Sequence, residues 1–337
     1  MGSRPGARPR HRTTEHGGHL ILRVLITGAT SFIGEYLLEE LASLPNVEAT
    51  AIVRPSALAK SRRFRDLGPT MNVVASDIGD PYSVKLPHRE YDSVVNLVGP
   101  RTREPMAQWA ANVFFVRRLA VLLKRIDVGR VVHTSSVAVY GFPHRDDSPI
   151  TEEHNLLSTM DSYGHTKVLS ERLWARFHSE TGTPVVILRP TWVVGHGSRL
   201  PDRHLFVASR RGFKLILNIG TPANIVYVRD VAGALIRAAT SKSSGVRTYN
   251  INGDKAISVK AFCEAIGKEV DRVGLPLVVP RALVRLASLK LKWFRFLLTG
   301  VFFDGSRARM ELGFCPKYDL SSLTRETLER MSREWSS

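Results

Sequence analysis

Leu22-Arg23-Val24-Leu25-Ile26-Thr27-Gly28-Ala29-Thr30-Ser31-Phe32-Ile33-Gly34 is the stretch on which the fold turns. A short β-rich run, 22–26, meets Gly28 at once. A helical pattern over about 32–43 follows, with Ile33, Leu37, Leu38 and Leu41 on one face. Strand, glycine turn and helix in that order are the context that makes a glycine pattern a dinucleotide site. Gly28 allows the tight turn, and Gly34 lets the helix pack close to the strand. The helix N-terminus then offers free N–H groups and its dipole to a pyrophosphate. Ser31 stands where a middle glycine is commonest, and its hydroxyl can still donate to phosphate. Thr30, Phe32 and Ile33 complete the candidate cofactor turn.

Outward from this turn, β-rich runs recur at 47–53, 72–75, 93–98, 130–134 and 184–188, with helical patterns between most of them, notably 106–126 and 159–179. Strands alternating with helices mean βαβ units and a parallel sheet. A further strand is expected at 224–228, with a helix starting near Asp230 that this residue caps. The last third reads as helices at 258–270 and 321–335 around a basic apolar segment, 280–300. The fold class is therefore α/β: a Rossmann-type, doubly wound parallel sheet with a smaller, mostly helical C-terminal substrate domain. The expected division is a disordered tail at 1–20, a dinucleotide-binding domain at 21–190 plus 222–245, and a substrate domain at 191–221 plus 246–337.

Composition narrows the class. The 337 residues suit about two domains. No run reaches the roughly 18 uncharged apolar residues of a membrane span. Two cysteines, Cys263 and Cys315, cannot build a disulfide framework or a Cys-based metal site, and they suit a reducing, cytoplasmic setting. Residues 1–20 are rich in Arg, Gly and Pro and lack the apolar core of a secretory signal. The net charge of +17 favours anionic partners. The basic residues are scattered, however, and read mainly as solvated surface. No aromatic platform or recognition helix accompanies them, which argues against nucleic acid.

The second strand runs into Val53-Arg54-Pro55-Ser56. An acidic residue near this place suits a free ribose 2′-OH, while an arginine accommodates a 2′-phosphate. Arg54, with Lys60, Arg62 and Arg63 behind it, therefore favours NADP(H) over NAD(H). Stacking of Arg54 on adenine is the alternative. Asp77 and Ile78, closing the third strand, are candidates for the adenine edge.

Further motifs follow in order: Asn96-Leu97-Val98-Gly99, Asn112, Ser135-Ser136-Val137-Ala138-Val139-Tyr140-Gly141, Tyr163-Gly164-His165-Thr166-Lys167, Leu188-Arg189-Pro190 and Tyr227-Val228-Arg229-Asp230. With the glycine turn, they make the chain resemble the extended short-chain dehydrogenases/reductases, the group called NAD-dependent epimerase/dehydratase, over about 22–330. The resemblance implies that Tyr163 is the catalytic acid/base, Lys167 its partner and Ser136 the hydroxyl holding the substrate oxygen. It implies that Asn112 positions the lysine through water, and that Leu97, Val98, Gly99 and Pro190 contact the cofactor. It also implies a homodimer through the helices at 106–126 and 159–179. The spacing supports the central pair independently, since residues four apart share one face of a helix. A nearby ammonium favours the phenolate of a tyrosine, whose ordinary pKa is about 10.

Departures from the family pattern shape the expected reaction. Dehydratases carry an Asp-Glu pair after the catalytic hydroxyl, and here Val137-Ala138 stands there. A reductase or epimerase is expected instead, acting on a small, anionic substrate such as a nucleotide sugar. The apolar C-terminal stretch also suits a lipophilic ketone, as in dihydroflavonol-reductase or hydroxysteroid-dehydrogenase relatives. Residues 283–298, with interleaved Lys and Arg, could alternatively contact a membrane surface. A non-catalytic NADP-binding sensor is disfavoured because Ser136, Tyr163 and Lys167 are all kept.

Overall fold

A computed structural model of the chain describes residues 15–16, 19–59, 71–99, 102, 104–141, 148–156, 162–197, 206–210, 213–216, 222–258, 277–278, 283, 302–319, 321–322 and 325. The first half runs β1 (Leu22–Thr27), α1 (Phe32–Ala42), β2 (Val47–Val53), β3 (Met71–Ala75), β4 (Ser93–Asn96), α2 (Pro105–Leu123) and β5 (Val131–Thr134). The second runs α3 (Ser162–Thr181), β6 (Val185–Pro190), β7 (Trp192–Val194), β8 (Pro222–Tyr227), α4 (Val228–Thr240), β9 (Val246–Ile251), β10 (Ala256–Ser258) and α5 (Ser306–Leu312).

Seven strands form the central sheet in the order β9-β6-β5-β4-β1-β2-β3. Its ladders are parallel, as in Leu22↔Val47 through Thr27↔Ile52 between β1 and β2, and Val94↔Val131 through Asn96↔His133 between β4 and β5. The inner strands β4, β5 and β6 are buried along their whole length, as strands of a parallel sheet covered on both faces are. Leu25, Val94, Val131 and Val185 are buried together with Leu119, Leu122, Trp174 and Phe177 of α2 and α3. The chain leaves β3 and returns to pair β4 with β1, so the winding reverses between those two strands. Ligands of such sheets bind at the strands' carboxyl ends beside this reversal.

Two compact units share the chain. Met1–Gly141, Leu156–Arg189 and Ala232–Tyr249 make the first; Phe142–Asn155, Pro190–Val231 and Asn250–Ser337 make the second. The strand expected at 224–228 is β8, and it joins β7 and β10 in a separate three-stranded sheet. The seventh central strand is instead β9, which lies in the segment 246–337 expected in the substrate domain. A second three-stranded sheet joins Phe206–Arg210, Phe213–Ile216 and Leu277–Val278. Most residues of the helices expected at 258–270 and 321–335, and of the basic apolar segment 280–300, lie outside the described ones, as do residues 284–298 of the membrane-surface segment. Within the segment expected as a tail, Glu15–His16 and His19–Leu20 pair as an antiparallel ladder, with Gly17-Gly18 between them in sequence.

Within the second unit, buried amides bind separate segments of chain. The Asn250 side chain donates to the carbonyls of Ile150 and Asp304, that of Asn252 donates to Phe303, and Phe303 N–H donates to Asn224. Asp230 does not cap α4, which starts two residues earlier at Val228. Its buried carboxylate instead accepts the backbone N–H groups of Lys317 and Tyr318, fastening the segment after α5. Burial raises the Asp230 pKa to about 6, against those two bonds.

Among the described residues, α2 is the one helix long and apolar enough, by length and composition, to cross a membrane. Its Val116, Leu119, Leu122 and Leu123 pack in the core, while Arg117 and Arg118 of the same helix are exposed.

Candidate active site

The turn after β1 is built as its sequence requires. Gly28 has φ +78°, and a Cβ on it would lie 2.9 Å from the backbone of Leu97 and Val98. A Cβ on Gly34 would come within 2.5 Å of the Gly28 carbonyl oxygen and 2.6 Å of that of Ala29. Helix α1 therefore sits closer to the turn than any larger residue permits. Ser31 is the N-cap of α1, and its Oγ accepts Gly34 N–H at 3.1 Å. Accepting through oxygen leaves the hydroxyl proton free to be donated. Thr30 is exposed, while Phe32 and Ile33 are half-buried in the first turn of α1, where backbone N–H groups have no partner inside the helix. Glycines in close contact, a capping hydroxyl and a helix N-terminus suit the diphosphate of a dinucleotide.

The neighbouring strand ends supply the rest of the rim. The Asn96 Oδ1 accepts from Thr27 Oγ1 at 2.8 Å and from Val98 N–H at 3.1 Å, which joins the ends of β1 and β4. Leu97 is buried, and Val98 and Gly99 are half-buried. Arg54 is exposed at the end of β2, before a single helical turn at Pro55–Leu58. Lys60, Arg62 and Arg63 lie outside the described residues. Asp77 is exposed after β3, and its carboxylate accepts Gly79 N–H at 2.9 Å; Ile78 beside it is buried. Pro190 is buried at the end of β6.

The structure brings Lys167, Tyr163, Asn112 and Gly99 together. Lys167 is 2% exposed, its Nζ donates to the Thr134 carbonyl at 2.8 Å, and it stands 5.9 Å from the centre of the Tyr163 ring. Gly99 has φ +153°, and a Cβ there would lie 2.4 Å from both Lys167 Nζ and Asn112 Oδ1. Burial lowers the Lys167 pKa to about 8, with the Glu171 carboxylate pulling the other way. His133, completely buried under this lysine, is held well below its ordinary pKa by burial and by the Lys167 charge. It bridges Asn96 and Ser170 as a neutral ring.

Asn112 is fully buried and lies in a π-helical stretch, Ala110–Phe114, inside α2. Its Nδ2 donates to Thr166 Oγ1 at 2.9 Å, while its Oδ1 has no hydrogen-bond partner among the described residues. A wide helical turn of this kind commonly marks a functional position. A buried carbonyl oxygen beside a buried ammonium suits a bridging water. Ser136 follows β5 and caps the short 3₁₀ turn Val137–Tyr140, its Oγ accepting Ala138 N–H at 3.2 Å.

Sequence reasoning missed a buried cluster behind Ser136. Arg189 grips Glu171 with Nε at 3.0 Å and Nη2 at 2.7 Å, and its Nη1 donates to Tyr140 OH at 2.8 Å. Ser135 Oγ donates to Glu171 Oε1 at 2.5 Å. The side chain of Arg189, in the segment expected at the nicotinamide, is thus engaged in an ion pair. Glu171 was open to discovery from its spacing, four residues beyond Lys167 on the same helical face; Arg189 belongs to another strand and was not.

Fold and turn together define a dinucleotide-binding α/β protein whose site lies at the reversal of a parallel sheet. The family model for the NAD dependent epimerase/dehydratase family matches residues 24–252, and the chain belongs to that family, an enzyme group of the NAD-dependent class. Similar proteins include UDP-glucose 4-epimerase 4 of Oryza sativa subsp. japonica, 25% identical over 90% of this chain and 88% of the relative. The structure of UDP-glucuronic acid 4-epimerase from Bacillus cereus in complex with NAD superposes with TM-score 0.74 at 19% identity, over 93% of this chain and 100% of that one. RMD from Pseudomonas aeruginosa, complexed with NADPH, superposes with TM-score 0.69 at 19% identity, over 91% of this chain and 98% of that one. At such identities these likenesses speak to the fold.

Proposed function

We propose that the protein is a nucleotide-sugar ketoreductase using Ser136, Tyr163 and Lys167, with NADP(H) preferred over NAD(H). The observation that carries this reading is the buried Lys167 ammonium, bonded to Thr134 and 5.9 Å from the Tyr163 ring. Ser136 follows the same strand, β5, two residues beyond Thr134. A dinucleotide, held by the Gly28–Gly34 turn, would supply the hydride donor or acceptor. Tyr163 gives its proton to a ketone oxygen in reduction, or takes the hydroxyl proton in oxidation. Ser136 donates a hydrogen bond to that oxygen. Lys167 favours the phenolate by its charge.

Val137 is buried and Ala138 half-buried, and neither can exchange a proton. Elimination of water from a 4-keto sugar needs an acid/base group besides Tyr163. Dehydration is therefore not expected. Arg54 supports NADP(H) by its exposed position at the end of β2. Epimerisation is the second reading, favoured by the likeness to UDP-glucose 4-epimerase 4.

The test is incubation with NADPH, NADH, NAD and NADP and a panel of nucleoside-diphosphate hexoses and 4-keto hexoses, followed by mass and chromatography. A ketoreductase consumes one NADPH per alcohol formed. An epimerase interconverts UDP-glucose and UDP-galactose with no net change in cofactor. A product lighter by one water, formed at an enzyme-like rate, would overturn the assignment. Arg54→Ala should erase most of a roughly 10- to 150-fold preference for NADPH over NADH, the size of one charge-assisted contact. Equal dissociation constants for the two cofactors in the wild type count against that role.

A further inference from the structure

Ser135 and Tyr140 bracket Ser136 and the 3₁₀ turn that follows it. Each is held by one end of the same buried ion pair: Ser135 Oγ by Glu171, Tyr140 OH by Arg189. Glu171 is 5% exposed and Arg189 4% exposed. Glu171 belongs to α3, two turns beyond Tyr163 and one beyond Lys167. Arg189 belongs to β6, whose Leu188 carbonyl accepts Ser135 N–H at 2.7 Å. The Arg189 guanidinium also stands 4.9 Å from the centre of the Tyr140 ring. Three segments, the Ser136 turn, the Tyr163/Lys167 helix and strand β6, therefore meet on one bidentate, charge-assisted pair. Such pairs have fixed geometry as well as strength.

We propose that Glu171 and Arg189 are positioning residues that lock the Ser136 turn onto the helix carrying Tyr163 and Lys167, holding the two proton-handling hydroxyls in register. This rests on the reading of Ser136, Tyr163 and Lys167 as the reacting set. Ser136 has a short side chain on a 3₁₀ turn. The turn's own backbone bonds, Val139 N–H to Ser136 and Gly141 N–H to Ala138, are 3.2 Å each, at the upper end of the ordinary range. The side-chain anchors at Ser135 and Tyr140 add to these and tie the turn to α3 and β6. Misplacement of a reacting group by about 1 Å can cost on the order of 100-fold in rate.

Removing either ionic partner strands a buried charge and threatens the fold, so the test removes the two hydroxyl anchors instead. Ser135→Ala and Tyr140→Phe are compared with wild type, with Ser135→Thr as the variant that keeps the hydroxyl. Amide hydrogen exchange is followed over 135–141, and kcat and KM are measured on the sugar nucleotide turned over fastest. Each deletion should speed exchange of the 138–141 amides roughly tenfold and lower kcat roughly tenfold. KM and NADPH affinity should stay within about twofold, and Ser135→Thr should restore both readouts. Unchanged exchange, or an unchanged kcat while Tyr163→Phe is inactive, overturns the lock. Should Tyr163→Phe prove fully active, the catalytic reading falls, and exchange alone decides: the tenfold rise upholds the lock and its absence overturns it.

Discussion

Lys167 is an ammonium held against the cost of its burial. Its pKa, about 8 in the fold, lies below the ordinary 10.5 because burial disfavours the ammonium. The unfolded chain therefore binds more protons than the folded one between those values, and stability rises with pH across that window. Stability from this lysine is fully present above about 10.5 and is lost as pH falls through about 8. Wild type should gain about 2–3 kcal/mol relative to Lys167→Met between pH 8 and 10.5, measured by denaturant unfolding. A difference independent of pH would contradict the depressed pKa. In the proposed reaction that burial has a use: a buried ammonium beside Tyr163 would act on the phenol in a medium that screens it little. Tyr163→Phe should lower turnover at least ~10²-fold with NADPH affinity within a few fold, read by steady-state kinetics and fluorescence titration.

At the scale of the element, the β1–α1 junction shows geometry set by absent side chains. A Cβ on Gly34 meets backbone oxygens at 2.5 and 2.6 Å, which no rotamer can relieve. Gly34→Ala should cost about 1–3 kcal/mol of stability, as overpacking does, and should weaken NADPH binding by shifting the start of α1. Gly233 in α4 is the control, since no atom of the described residues lies within 4 Å of a Cβ built there. Gly233→Ala should stabilise by about 0.5–1 kcal/mol through helix propensity. Equal effects of the two alanines in chemical denaturation would refute this account. The π-helical stretch of α2 is a second case in which local geometry serves the site, because it lies where fully buried Asn112 faces the Gly99 and Lys167 contact.

For the whole molecule the governing quantity is the charge of +17. A field of that sign draws in a sugar nucleotide with its diphosphate and does little for a neutral ketone. Raising salt from about 0.05 to 0.5 M shortens the screening length to well under 10 Å. If the substrate is the proposed nucleotide sugar, the added salt should lower kcat/KM several-fold while leaving any neutral ketone nearly unaffected. Stopped-flow or initial-rate measurements across the salt series decide this. Insensitivity with the sugar nucleotide would show that the basic residues are solvated surface without a steering role.

The glycine turn, the strand–helix alternation and the Tyr163/Lys167 spacing were legible in the sequence because each is a local pattern. A tight turn needs glycine, a strand buried on both faces needs an apolar run, and residues four apart share a helical face. Strand membership was not local. Runs 222–227 and 246–251 look alike as β sequence, yet only the second enters the central sheet, since pairing depends on neighbours far along the chain. Glu171 shares a helical face with Lys167, but its pairing with Arg189 was out of reach of pattern reading. Glu171 and Arg189 are 18 residues apart on different elements, and as letters they resemble surface charges. Tertiary packing alone put them out of water, where each charge must find the other, and set Ser135 and Tyr140 at the two ends of the pair.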